Sequence, residues 1–404
     1  MNEMKQQLQQ QLRMHLDQRN AGVDDLTDDA LRVHATTYLK GQLGNNDEHH
    51  YLIREVVDEA IGLGPLEPLL MDSDISEIMV NRYDRIFIEK SGQLQNAGIQ
   101  FSSEQALRRA IDRIVLPLGR HVDDASPMVD ARLKDGSRVN AVITPLALKG
   151  SCVTIRKFSA KPLTLDDLIN SGSLSEKAAR FLTLAVECRQ NIIVSGGTGT
   201  GKTTLLNTLS SRIPSGERVI TIEDAAELQL THENLISLEA RPKNQEGQGA
   251  VGIRELVINA LRMRPDRLVV GECRGAEALD MLQAMNTGHA GSLSTVHANT
   301  ARDALRRLEV MVLMGGIELP VVAIRQQVAS AVDIIVQIAR LFDGKRVVMS
   351  INEVTGLDGD TLQVASLFER SRKGEALTSC QTLCQFAQQQ TDEVQAQLLD
   401  CLVN

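Results

Sequence analysis

The chain has 404 residues, 43% of them hydrophobic and 24% charged, but only seven Phe, three Tyr and no Trp. The hydrophobic fraction excludes a disordered chain, and the length suggests two to three domains. So few rings leave little for the stacking platforms of single-strand and RNA binders. A net charge of −9 opposes duplex nucleic acid and leaves at most a local basic groove.

No apolar run is long enough to span a membrane as a helix, and the opening MNEMKQQLQQQLRMHLDQRN lacks the apolar core of a signal peptide. A cytoplasmic location is expected. Cys152, Cys188, Cys273, Cys380, Cys384 and Cys401 show no CxxC spacing and read as reduced packing thiols. The nearest pair, Cys380 and Cys384, is expected one helical turn apart.

Residues 1–50 read as a helical arm and linker. Leu8, Leu12 and Leu16 form one apolar stripe, and GQLGNNDEHH reads as the linker. The arm either packs loosely on the body or docks a partner. Residues 51–158 read as a small α+β domain. Leu52, Val56, Val57, Ala60 and Ile61 line a helix that GLGPLEP breaks. ISEIMVN and RIFIEK alternate as strands around Arg82-Tyr83-Asp84. The helix SEQALRRAIDRIVLPLG and the strands VDARL, RVNAVI and CVTIRKF follow.

Residues 159–165, SAKPLTL, read as a linker. Residues 166–367 then alternate strand and helix, which predicts a largely parallel α/β sheet. The strands are NIIVSG, RVITIE, RLVVGE, SLSTVH, DIIVQIA and VVMSINEV. Amphipathic helices between them carry Leu205, Leu206, Leu209 and Ile213; Ala278, Met281, Leu282 and Met285; and Leu305, Leu308 and Val312. Residues 368–404 read as a polar C-terminal helical appendage.

Gly196-Gly197-Thr198-Gly199-Thr200-Gly201-Lys202-Thr203 matches G-x-x-x-x-G-K-[ST] between a buried strand and a helix. The glycines let backbone N–H groups turn inward around phosphate oxygens, and the helix N-terminus adds its positive dipole end. Lys202 supplies a charge to the β/γ-phosphates of ATP. The Thr203 hydroxyl is placed for Mg²⁺, and Thr204 sits next to the α-phosphate. A phosphate loop also needs carboxylates to hold the metal and orient water. Glu223 closes RVITIED, and Glu272 closes RLVVGE, both at the carboxyl edge where open α/β sheets bind ligands. Glu272 suits a water-polarising role near Mg²⁺, with an ion pair to Arg274 as the alternative. Glu223 is expected to assist at Mg²⁺ and the γ-phosphate. His297 ends a strand at the same edge and is expected at the γ-phosphate; His289, in a Gly-flanked turn, carries less.

Four blocks stand in order: GGTGTGKTT, TIEDAAELQL, RPDRLVVGECRGAEALDMLQAMNTGHAG and STVHAN. The set resembles the ATPases of the type II/type IV secretion superfamily, as their Walker A, Asp box, Walker B and His box. GLGPLEPLL, DISEIMVN, DGSRVNAVITPLA, TIRKF and IRELVINALRMRPDR resemble the CpaF/TadA-like branch of tight-adherence (Flp) pilus assembly. The likeness runs from about residue 51 to 360. It implies a RecA-like domain and a homo-hexameric ring, working peripherally at the inner membrane through a platform protein and other pilus or secretion components. It also implies arginines of the N-terminal domain on the triphosphate, matching Arg138 and Arg156, with Arg132 and Arg241 as weaker matches. These arginines instead pair with Asp130, Asp135 or Glu239 if their role is structural. Whether they act within a chain or across subunits stays open.

The four-cysteine zinc module of the general-secretion branch is absent from the sequence. That leaves the pilus branch first and the conjugation/type IV secretion ring ATPases second. A nucleic-acid motor and a nucleotide-gated scaffold are the remaining alternatives. With few rings to hold adenine, and Phe158 the nearest by sequence, phosphate and metal contacts are expected to dominate nucleotide binding.

Overall fold

A computed structural model describes residues 2–19, 28–44, 47–158, 162–241, 243, 248–316, 318–371, 376–382 and 384–403. The chain divides into two units, Met1–Ala160 and Lys161–Asn404.

The first unit opens with the helices Asn2–Arg19, Asp28–Leu43 and Asp47–Ile61. The apolar stripe of the first helix is not left for a loose contact or a partner. Leu8 and Leu12 are buried with Ala35, Leu39, Ile53, Val56 and Val57 in one cluster. The segment 41–50, expected as a linker, is helical up to Leu43 and again from Asp47. Buried polar groups fix the cluster in register. Glu59, 2% exposed, accepts from Gln9 Nε2 at 2.7 Å and from the Ser102 backbone N–H at 2.8 Å, with Lys5 Nζ at 3.3 Å. A buried carboxylate needs such partners to offset its lost hydration.

Six strands follow: β1 (Ile75–Arg82), β2 (Arg85–Lys90), β3 (Gln93–Asn96), β4 (Met128–Arg132), β5 (Arg138–Val142) and β6 (Cys152–Arg156). They form an antiparallel sheet in the order β3-β2-β1-β6-β5-β4. The helix Glu104–Val115 covers it, capped by Ser103, whose hydroxyl accepts from the Ala106 N–H. Its Ala106, Leu107, Ala110, Ile111, Ile114 and Val115 recur at helical spacing. They meet Ile78, Val80, Ile86, Ile88, Val139, Ala141, Val153 and Ile155, which alternate along the strands.

The second unit is built on β7 (Ile192–Gly196), β8 (Val219–Glu223), β9 (Leu235–Glu239), β10 (Arg267–Val270), β11 (Leu293–His297), β12 (Ile334–Arg340), β13 (Arg346–Asp358), β14 (Thr361–Arg370) and β15 (Leu377–Ser379). The order is β15-β14-β13-β12-β7-β11-β10-β8-β9. From β12 to β9 the neighbours are parallel, and β13 to β15 extend the sheet antiparallel. Every residue of β7, β8 and β10 is buried. Helices cover both faces of a parallel sheet, so its central strands are buried on both sides and largely apolar. Glu176–Glu187 and Lys202–Ser210 pack into one core, and Ile253–Ala260, Glu277–Asn286, Ala301–Met314 and Val321–Ala331 into the other.

The C-terminal segment corrects the expected helical appendage. Residues 368–370 complete β14, and Leu377–Ser379 adds an edge strand; the α-helix is confined to Asp392–Leu402. Phe368, Leu377, Cys384, Phe386, Leu398, Cys401 and Leu402 are buried in the same core as the helix Lys202–Ser210. The sequence looked polar because an edge strand buries few of its side chains. Cys380 and Cys384 lie in the loop between them, not on a helical turn, and Cys380 is exposed while Cys384 is buried.

Asp333 sits just before β12 and accepts from the Asn191 N–H at 2.7 Å. Burial, aided by the charge of Glu353, pushes its pKa up to about 6 from an ordinary 3.8. The folded chain thus keeps this proton where the unfolded chain has released it. The contribution to stability is full below about pH 4 and is lost as pH rises to about 6, roughly 3 kcal/mol in all. Asp333→Asn is expected to remove that loss. Urea unfolding of both chains at pH 4.5 and pH 7 checks it, and an equal change with pH in both would exclude Asp333 as the source.

Candidate active site

β7 ends at Gly196, and the helix Lys202–Ser210 begins six positions later. The loop between them turns on Gly199 (φ +70°) and Gly201 (φ +95°), conformations that glycine adopts at least cost. Gly196 is glycine for another reason: a Cβ there would stand 2.6 Å from the Ile338 carbonyl oxygen and from Thr200 Oγ1. Thr200 Oγ1 donates to the Gly197 carbonyl at 2.9 Å. Lys202 is 7% exposed and donates from Nζ to the same carbonyl at 2.9 Å. Burial lowers its pKa, and the charge of Glu272 partly restores it.

The parallel register carries His297 to the end of β11, opposite Gly196. Its Nδ1 lies 3.3 Å from Lys202 Nζ, and its Nε2 lies 2.7 Å from Glu272 Oε1. Burial first, then the charge of Lys202, lowers the His297 pKa below 6.5, so the ring is neutral at pH 7. Glu272 also receives Arg274 Nη2 at 2.7 Å, while Arg274 Nη1 reaches Asp224 Oδ2 at 3.2 Å. The ion pair with Arg274 is therefore present, but the Glu272 carboxylate is shared with His297. Lys202, His297, Glu272, Arg274 and Asp224 form one chain of charged and polar groups along the sheet edge.

Glu223 is placed differently from the expectation. It is 4% exposed, and its Oε2 accepts the backbone N–H groups of Glu227 at 2.9 Å and Leu228 at 3.1 Å. It holds the loop that follows β8. Gly271 makes room for it, since a Cβ there would stand 2.8 Å from Glu223 Cγ. His289 Nδ1 donates to the Pro265 carbonyl at 2.9 Å, a turn contact.

The donors available to a metal are oxygens, the Thr203 hydroxyl and the Glu272 carboxylate. Among the described residues no group of three or more His, Cys, Asp and Glu forms a metal cage. That set fits Mg²⁺, which keeps waters and comes with substrate phosphates.

In the first unit, antiparallel register makes Arg156 the partner of Arg138, Arg138 the partner of Arg132, and Arg156 the partner of Glu77. Directly opposite residues share a face, so three guanidinium groups and one carboxylate form a row across β1, β6, β5 and β4. Arg156 Nε donates to Glu77 at 2.8 Å. Asp130 accepts from Asn140 and Asp135 from Ser137. Like charges directly opposite are unfavourable. Arg241 donates to the Gly249 carbonyl in the second unit. Phe158 packs on the turn at Gly136. Sequence reasoning missed Arg346, whose Nε donates to the Gly199 carbonyl at 3.1 Å. Only the register of a distant hairpin brings it there.

The profile of the family described as Type II/IV secretion system protein matches residues 59–391. The chain belongs to this family. A family relative from Mycobacterium tuberculosis (strain H37Rv), named for conjugal transfer, is 39% identical over 300 residues, covering 73% of this chain and 85% of its own. The type IV secretion system protein VirB11 of Bartonella henselae is 32% identical, covering 74% of this chain and 94% of its own. The crystal structure of the ATPase DotB from Yersinia pseudotuberculosis superposes with a TM-score of 0.53 at 19% identity, covering 73% and 78% of the two chains. The fold is thus the RecA-like α/β architecture of secretion ATPases, with a smaller α+β unit before it. No helix among the described residues is long and apolar enough to cross a membrane.

Proposed function

We propose that this chain is an ATP hydrolase that powers a conjugation-type or type IV secretion machine as a homo-hexameric ring. The observation that carries the ATPase reading is the contiguous Lys202–His297–Glu272 array beside the loop 196–201. Lys202 leaves the Gly197 carbonyl for the β/γ-phosphates, and the loop N–H groups cradle them. Glu272 polarises the attacking water, and neutral His297 relays the state of the γ-phosphate to it. Thr203 and Glu272 would hold Mg²⁺, whose charge offsets that of the phosphate oxygens. Arg138 and Arg156 meet the triphosphate as fixed positive charge for the transition state. The names of the relatives favour the conjugation class over the pilus class that the sequence blocks put first. Coupling to an inner-membrane partner follows from this reading and gives the chain a peripheral, cytoplasmic place.

Lys202→Ala is expected to weaken ATP binding by about 2 kcal/mol or more, by loss of a partly buried charge contact. Mixing it with Arg138→Ala chains tests the ring. Regained turnover shows arginines acting across subunits; no regain, with each variant folded, places them within one chain.

A second reading, Flp-type pilus assembly, is favoured by GLGPLEPLL, DISEIMVN, DGSRVNAVITPLA and TIRKF. Deleting the gene in its host separates the two. Loss of conjugal or effector transfer with pili intact supports the first, and loss of pili with transfer intact supports the second.

A further inference from the structure

We propose that Phe342 is the platform on which the base of the nucleotide stacks, an inference that rests on the ATPase reading above. The direction of the nucleotide follows from the sheet. Glu272 and His297 stand at the ends of β10 and β11, on one side of the loop strand β7. They mark where the γ-phosphate lies. β12 flanks β7 on the other side, with Ile338 opposite Gly196 as His297 is on the first. A triphosphate whose γ end points toward β11 leaves its base on the side of β12. β7 is also where the strand order turns, the place where open α/β sheets receive ligands.

On that side stands the turn between β12 and β13. It is closed by the Leu341 N–H donating to the Lys345 carbonyl at 2.7 Å and the Gly344 N–H donating to the Leu341 carbonyl at 3.0 Å. The turn is pinned to the phosphate loop at its base. Arg346 Nε holds the Gly199 carbonyl, and Arg346 Cδ lies 3.4 Å from where a Cβ on Gly201 would be. Phe342 is at the tip with its side chain fully exposed.

The second unit holds three other rings, Phe181, Phe368 and Phe386; all three are buried, with Phe181 packed on the other two. Phe342 is thus the unit's single exposed ring among the described residues. A chain so poor in aromatics presents this one to solvent, on a turn tied to the phosphate loop. Every base has a π-face, so stacking grips the nucleotide without choosing strictly among bases.

The test uses the full chain. Phe342→Ala is expected to raise KM for ATP about tenfold with kcat within about twofold, and Phe342→Tyr to restore it. Inhibition by inorganic tripolyphosphate, which has no base, should be unchanged. The chain has no Trp, so Phe342→Trp places a single indole at the tip. Its emission should respond to ATP and ADP but not to tripolyphosphate. A wild-type KM in Phe342→Ala overturns the proposal. So does equal weakening of ATP and tripolyphosphate, or lost assembly at unchanged KM, which would make the ring an interface between copies. A wild-type chain that binds neither ATP nor ADP overturns the ATPase reading itself, a result distinct from all of these.

Discussion

Glu272→Gln is expected to lower ATP hydrolysis by roughly two to four orders of magnitude, the usual worth of a positioned general base, while ATP binding persists. Gln keeps the volume and one acceptor oxygen but has no charge with which to polarise water. Binding persists because, in the proposed function, the loop and Lys202 hold the phosphates. The charge of Glu272 raises the Lys202 pKa and pairs with Arg274. Its removal leaves more uncompensated positive charge at the site, so affinity for ATP should hold or rise. Phosphate release under saturating ATP measures the first effect, and equilibrium binding of a slowly hydrolysed ATP analogue measures the second. Turnover at the wild-type rate would remove Glu272 from the water-polarising role and leave it as the partner of Arg274.

The largest expected effect on stability lies below the site, at Arg267. Its side chain is 0% exposed. Nε and Nη2 reach the two oxygens of Glu217 at 2.5 and 3.2 Å, and Nη1 donates to the Gly291 carbonyl at 3.0 Å. Gly291 has to be glycine, since a Cβ would stand 1.9 Å from Arg267 Nη1. Arg267→Ala leaves the Glu217 carboxylate, 12% exposed, with only Arg189 at 3.4 Å. Removing one partner of such a pair costs about 3–5 kcal/mol, a large share of the ~5–15 kcal/mol that holds a typical protein folded. Arg267→Met, which refills most of the volume, should cost less in the double variant with Glu217→Leu than in the single one. Urea unfolding gives both numbers. A loss below about 1 kcal/mol for Arg267→Ala would mean that water replaces the guanidinium.

The sheet of the second unit was readable because helices cover both its faces. That makes β7, β8 and β10 fully buried runs, apolar but for Ser195, Thr221, Glu223 and Arg267, that no surface strand would carry. The loop 196–201 was readable for a local reason, since its turns need glycine at positive φ between a strand and a helix. What stayed hidden depends on long-range register. Arg138 and Arg156 are 18 positions apart in sequence, and only the β5–β6 pairing sets them side by side. Arg346 meets Gly199 through a hairpin 147 positions away. The turn-holding geometry of Glu223 is made by the backbone of the loop after it, which no pattern of side chains announces. The tail misled for the opposite reason. Its polar composition matched a solvated helix, yet Leu377, Cys384 and Phe386 are spaced irregularly and fill the core from an edge strand and a loop.

The buried carboxylate of Glu353 gives that tail a further meaning. Its oxygens accept the N–H groups of Gln385 and Phe386, each at 2.9 Å, from a strand that pairs with β12. The helix Asp392–Leu402 then packs on Glu176–Glu187, and Arg180 meets Asp400 at 3.0 Å. Glu176–Glu187 leads directly into β7 and the phosphate loop. The helix Asp392–Leu402 and the helix that follows the loop 196–201 therefore share one core. Elements packed in one core tend to open together, so a ligand that orders the loop 196–201 is expected to slow the exchange of amide protons in the C-terminal helix.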